Sequence, residues 1–183
     1  MMKALYALSG DPIHFGHIDI INRASKIFDL VVAIGENPEK EYLFSVDERV
    51  AMAQKVLDVP VVTFTGLLVD YAYENKINVI IKGVRNAADF NYESVLHQIG
   101  ESQKLGIDTH ILVASPSLSH ISSSTVKEIH ASHGLLHEYV PLFVKQCLEK
   151  KNGQTIIGVT GEIGAGKTFF AQNFPDAHVI ELD

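Results

Sequence analysis

Two histidines stand three residues apart around a glycine, in His14-Phe15-Gly16-His17. That spacing lets both imidazoles face one ligand, and Gly16 lets the backbone come close to it. The quartet follows the turn-forming run Ser9-Gly10-Asp11-Pro12 and precedes a stretch of helical spacing, Ile18, Ile20, Ile21, Ala24 and Ile27. A helix start adds free N–H donors and a partial positive charge. This combination suits the α-phosphate of a nucleotide under attack. A turn with two surface histidines is the plainer alternative. Histidines at i and i+3 would also serve zinc, but no third ligand is clustered nearby, so no metal site is expected here.

Two further groups have the chemistry of phosphate contacts. Lys82 and Arg85 flank Gly83-Val84 just past a predicted strand, Val79 to Ile81, where they would form a clamp for an anion. Four hydroxyls, Ser122 to Thr125, stand together at a predicted helix start, and Thr125-Val126-Lys127-Glu128 has the form of a capping box. Capping accounts for one hydroxyl, not four. Glu93, eight residues after Arg85, is either a ligand contact or a surface carboxylate paired with a cation.

A second motif lies apart from these. Gly161-Glu162-Ile163-Gly164-Ala165-Gly166-Lys167-Thr168 fits G-x-x-x-x-G-K-[ST] in full. In a P-loop, backbone N–H groups cradle phosphates, Lys167 meets the β and γ oxygens, and Thr168 binds Mg²⁺.

The elements that must position these residues alternate. Strands are predicted at Lys3 to Leu8, Leu30 to Ile34, Val61 to Phe64, Val79 to Ile81 and His110 to Val113. Helices are predicted at Ile18 to Phe28, Val46 to Leu57 (Ser45 as N-cap, Glu48 three residues on), Leu67 to Asn75, Phe90 to Lys104, Ser124 to His130 and Tyr139 to Lys150. Such alternation implies right-handed βαβ units and a doubly wound parallel α/β sheet. Ligands then sit beyond the carboxyl ends of the strands, so the loops after the first, fourth and fifth strands are the place to look. Residues 151–154 read as a polar linker between a domain at 1–150 and a fresh strand, Thr155 to Val159, that opens the P-loop segment 155–183.

Composition sets outer bounds. The chain has 183 residues, 46% of them hydrophobic, which is enough for a core. A net charge of −7 without a basic block argues against a nucleic-acid partner. Cys147 is the single cysteine, so neither an intramolecular disulfide nor a cysteine-based metal site is expected. No signal peptide or membrane span is legible, and the expectation is a soluble cytoplasmic protein.

Taken in order, these blocks resemble the bacterial phosphopantetheine adenylyltransferases, Rossmann-like nucleotidyltransferases with an HxGH motif. The resemblance rests on Ser9 to Pro12 with His14 to Ile21, on Leu43-Phe44-Ser45 with Glu48-Arg49-Val50, on Lys82 to Arg85 with Asp89 to Glu93, and on Ile121 to Ser124 with Val126 to Glu128. It covers about residues 3 to 148. The resemblance implies attack by a phosphate of 4′-phosphopantetheine on the α-phosphorus of ATP, with Mg²⁺ assisting. It assigns catalysis to His17, Lys82 and Arg85. It places ATP against Ser9, Gly10, His14, His17, Gly83, Val84, Arg85, Glu93 and the turn Leu118-Ser119-His120-Ile121-Ser122-Ser123-Ser124. It places the acceptor against Ser9, Lys40, Glu41, Leu68 and Lys82, and it implies a homo-oligomer, commonly a hexamer.

The chain departs from that pattern at several positions. Glu41 stands where the family commonly has Lys, Lys82 where Arg is usual, and Leu8 and Gly10 where Gly and Phe are usual. Ser94 to Lys104 also matches poorly. These departures bear on the acceptor, so a different phosphorylated acceptor, or a nucleotide-binding module without turnover, stand as alternatives. The segment from Ile157 resembles the start of dephospho-coenzyme A kinase, with Val179 to Asp183 as its next strand and acidic residue. On the order of 150 further residues would complete such a domain. The expectation is therefore a piece of a bifunctional protein, with no kinase activity in this segment.

Overall fold

The computed structural model describes residues 1–37, 40–103, 106–154, 157–174 and 179. Five parallel strands form one sheet in the order β3-β2-β1-β4-β5. They are β1 (Lys3–Leu8), β2 (Asp29–Gly35), β3 (Val61–Phe64), β4 (Val79–Val84) and β5 (Asp108–Val113). Strand order reverses between β1 and β4, which opens a crevice at their carboxyl ends.

The helices are α1 (Phe15–Ala24), α2 (Val46–Val56), α3 (Leu68–Glu74), α4 (Ala87–Gln103), α5 (Ser123–Ala131), α6 (Leu142–Lys151) and a short α7 (Lys167–Ala171). Alternate strand residues feed two cores. Tyr6, Val32, Ile34, Val79 and Ile81 join Ile20 and Ile21 of α1, Met52 of α2, Val126 of α5 and Val144 of α6. Leu5, Ala33 and Ile80 face Ala72 of α3 on the other side. Period-two alternation with both faces apolar is what a covered parallel sheet requires. The doubly wound expectation holds.

Boundaries moved for local reasons. α1 begins at Phe15 because His14 caps it, and it ends before Ile27, which is exposed. β4 runs past Ile81 to Val84 because its ladder with β5 continues through Val84↔Val113. Lys82 and Gly83 are therefore strand residues, not loop residues beyond the strand. α5 is capped by Ser122, whose hydroxyl accepts from the Thr125 N–H, so the capping box expected at Thr125 is not formed. The box expected at Ser45 and Glu48 is present in full. α6 starts after Pro141 rather than at Tyr139.

The strand expected at Thr155 to Val159 is not seen over residues 157–159, which find no strand to pair with; Thr155 and Ile156 lie outside the described residues. So do Lys104, the last residue of the expected helix Phe90 to Lys104, and, of the expected strand Val179 to Asp183, all but Val179. Among the described residues no helix is long and apolar enough to cross a membrane.

Candidate active site

The loop after β1 makes the first wall. Gly10 has φ +62, a left-handed conformation that an L side chain resists, and it turns the chain from β1 into Asp11. Asp11 is buried, and its carboxylate accepts from Leu43 N–H and Phe44 N–H at 3.0 Å each and from Lys127 Nζ at 3.1 Å. Three distant segments are thereby pinned at one carboxylate. Ser123 Oγ adds a bond to the Pro12 carbonyl at 3.0 Å. The N-terminal ends of α1 and α5 thus meet, and two sets of helix N–H donors converge.

His14 caps α1: its Nδ1 accepts from the His17 N–H at 3.4 Å, which leaves the proton on Nε2. The two rings stack with centroids 3.6 Å apart and 22° between planes. A Cβ on Gly16 would come within 3.0 Å of the His14 ring and 3.7 Å of the Leu118 carbonyl. A larger residue would therefore part the histidines from the turn at Leu118.

Both imidazoles are held neutral. Burial pushes the His17 pKa down to about 3, helped by Arg85, and burial, His17 and Arg85 push His14 far below the usual range. His17 is partly exposed, yet its Nδ1 is enclosed and has no partner. A neutral imidazole donates a hydrogen bond. It stabilises charge on an oxygen by that bond rather than by carrying a charge itself.

A pH dependence follows. Unfolded histidines protonate near 6.5, while His14 and His17 stay neutral in the fold, so the unfolded state gains protons first. Stability is intact above pH 6.5 and falls as pH drops from there towards 3. Each imidazole that stays neutral costs up to about 1.4 kcal/mol per pH unit. Urea midpoints measured from pH 8 to pH 4 in wild type and in a His14→Gln variant would show this. An equal slope in both would contradict it.

The second wall comes from β4 and α4. Lys82 Nζ pairs with Glu93 at 2.8 Å, both side chains mostly buried. Glu93 is thus a carboxylate paired with a cation, one of the two readings open to it. Arg85 is gripped by Asp89, Nε to Oδ2 at 2.8 Å and Nη2 to Oδ1 at 3.2 Å, with Asp89 Oδ2 also accepting from the Arg85 N–H. That fork fixes the guanidinium direction. Gly83 faces α1, where an added Cβ would meet Ile20 at 3.1 Å and the buried Tyr6 hydroxyl at 3.5 Å. Burial and Glu93 push that hydroxyl's pKa up, so it stays protonated.

Leu68, Lys82 and Glu93 line one groove between α3 and α4, together with Leu96 and His97. Lys40 and Glu41 are exposed on the loop after β2, which closes on itself through Lys40 N–H to the Asn37 carbonyl. Ser119 and His120 sit at the turn before α5; Ser119 Oγ donates to the Pro116 carbonyl. Of the four hydroxyls, those of Ser122 and Thr125 bond each other at 2.8 Å, Ser123 bonds Pro12, and Ser124 is exposed.

With this geometry established, relatedness can be judged. A family model described as Cytidylyltransferase-like matches residues 9–129, which span the walls just described. The phosphopantetheine adenylyltransferase of Geotalea daltonii is 44% identical over 153 residues, covering 81% of this chain and 95% of that protein. The chain belongs to the phosphopantetheine adenylyltransferase family. The proteins of that name from Geobacter sulfurreducens and Clostridium botulinum are each 42% identical, over 81% and 82% of this chain and 93% and 95% of theirs. Membership makes the chain a nucleotidyltransferase with a Rossmann-like fold. The span matched by the family model stops short of the P-loop motif.

The P-loop motif takes the turns its glycines permit. Gly164 and Gly166 have φ +84 and +81, and Lys167 opens α7. Lys167 Nζ turns back to the carbonyls of Gly161 at 2.8 Å and Glu162 at 3.1 Å. Around it Ile163, Phe169 and Phe170 are exposed.

Reading the sequence missed two residues. Asp11 and Arg49 were noted only as parts of matching blocks. Arg49 had a signal: it lies at i, i+3, i+4 spacing with Met52 and Ala53, on the stripe that α2 buries. A cation on an apolar stripe has to be satisfied internally.

Proposed function

We propose that the chain transfers the adenylyl group of ATP to 4′-phosphopantetheine, giving dephospho-coenzyme A and pyrophosphate. An oxygen of the acceptor phosphate forms a bond to the α-phosphorus, and the bond from that phosphorus to the bridging β oxygen breaks. The nucleophile is already an anion, so no general base is required. Catalysis is positioning and stabilisation of charge on the α-phosphate.

The observation that carries this reading is the stacked His14–His17 pair at the start of α1, beside the start of α5 that Ser123 ties to Pro12. His17 donates to an α-phosphate oxygen, His14 orients it, and the serine turn receives the outer phosphates. Arg85, held by Asp89, supplies positive charge. Lys82 exchanges Glu93 for a phosphate oxygen of the acceptor, whose pantetheine arm lies along the groove beside Leu68. Mg²⁺ enters with ATP. The neutral imidazoles and hydroxyls around His17 suit phosphate oxygens, and a hard cation keeps its ligands among phosphates and water.

Three finer points belong to the same reading. The chain works in the cytoplasm. It assembles as a homo-oligomer, and the exposed Tyr92, Val95 and Ile99, on one side of α4, supply an apolar face for that contact. The segment from Ile157 is related to the phosphate-binding start of dephospho-coenzyme A kinase, a reading supported by the two left-handed glycines and the folded-back Lys167.

The test is pyrophosphate release with ATP, Mg²⁺ and 4′-phosphopantetheine. Turnover that requires all three is expected. Binding of ATP without turnover would send the reading to another phosphorylated acceptor.

A further inference from the structure

A guanidinium lies buried beneath the loop that carries Ser9. Arg49 Nη1 donates to the Ser9 carbonyl at 2.7 Å and to the Gly35 carbonyl at 2.9 Å, and Nη2 donates to Glu36 Oε1 at 3.0 Å. The Tyr42 ring covers it at 4.2 Å. Arg49 is 0% exposed, whereas the Glu36 side chain is 52% exposed.

The β1–β2 ladder ends at Leu8↔Ile34, so Ser9 and Gly35 stand one residue past its last pair. There the Ser9 and Gly35 carbonyls have no partner across the β1–β2 ladder and turn to one point. Two carbonyl oxygens side by side make a locally electronegative rim, which repels a phosphate placed against it. Arg49 answers both problems. It donates to each carbonyl, and it puts a positive charge under the rim. Among the described residues its carboxylate partner is Glu36, which faces solvent, so that charge is incompletely cancelled.

We propose that Arg49 is a positioning residue of the transfer site: it fixes the Ser9 peptide and supplies the buried charge that lets the ends of β1 and β2 accept a phosphate. The inference rests on the adenylyl-transfer reading above.

The test compares Arg49→Lys and Arg49→Gln with wild type in steady-state pyrophosphate release, and in Mg·ATP binding by calorimetry, normalised to folded protein. Lysine keeps the charge but cannot fork to two carbonyls. It should lower kcat about tenfold and leave both KM values within about threefold. Glutamine removes the charge and should also raise the acceptor KM about tenfold. A folded Arg49→Gln enzyme with kcat and KM within about twofold of wild type would overturn the proposal, as would activity lost only in step with folded protein.

If neither variant folds, Glu36→Gln at the exposed partner decides. Removing that negative charge should lower the acceptor KM about threefold at low ionic strength and not at high. An unchanged or raised KM overturns the proposal. Should wild type itself fail to turn over, the adenylyl-transfer reading is at fault. Mg·ATP affinity then still reads the charge: about fivefold weaker in Arg49→Gln supports the inference, and unchanged affinity overturns it.

Discussion

His17→Ala should lower kcat for pyrophosphate release by about 10²- to 10³-fold, the usual cost of removing one hydrogen-bond donor to a developing oxyanion. The KM for ATP should move little, because His14, the serine turn and Arg85 keep their contacts. The place of the partly exposed His17 ring at the start of α1, stacked on His14, makes this the largest expected catalytic effect. Because His17 is held neutral, with its pKa near 3, the loss should be the same at pH 6 and pH 8. A loss confined to low pH would mean that a charged imidazole acts, contrary to the site as described. His17→Asn, which keeps a donor on a shorter arm, should recover part of the rate. A thermal melt on each variant would separate catalysis from folding, since His17→Ala also removes the ring stacked on His14.

Asp11→Ala should cost about 3–5 kcal/mol of stability, as expected when a buried ion pair loses one partner and leaves the rest unsatisfied. Most of that comes from the Leu43 and Phe44 N–H groups, each left without an acceptor at about 1–3 kcal/mol. Lys127 contributes less, because its side chain is 34% exposed and water can solvate it. Urea denaturation would report the change as a lower midpoint at similar slope. Asp11→Asn should cost less than alanine, since the amide oxygen still accepts. Combining it with Lys127→Met should cost less than the sum of the two. A loss below about 1 kcal/mol for alanine would show that water replaces the carboxylate in that loop.

The fold was legible because its signals are local and repeated. Short β-branched runs such as Val61 to Phe64 and capped helices such as the one after Ser45 specify their own conformation, and their alternation leaves few topologies. The resemblance then placed about residues 3 to 148 on a known pattern, and the family match covers residues 9–129 of them. What could not be read was pairing across the chain. Nothing near Asp11 in sequence points to Leu43 or Lys127, and nothing near Arg49 points to the Ser9 carbonyl. The end of β4 was misplaced because Lys82 and Gly83 have poor strand propensity, and only the ladder to β5 holds them extended. The charge state of His17 was also out of reach, since burial sets it. The strand expected before the P-loop failed because a strand exists only where a neighbour accepts it.

The ion pair between Asp11 and Lys127 closes a loop of 116 residues. A chain emerging from the ribosome has β1 at once, yet it cannot complete the walls around His17 until α5 has been made. Assembly of the site is therefore a late step that reports on completion of the sheet. A nascent or clipped chain lacking α5 carries both histidines and the start of α1 without the α5 end that meets it, and so exposes half a site at most.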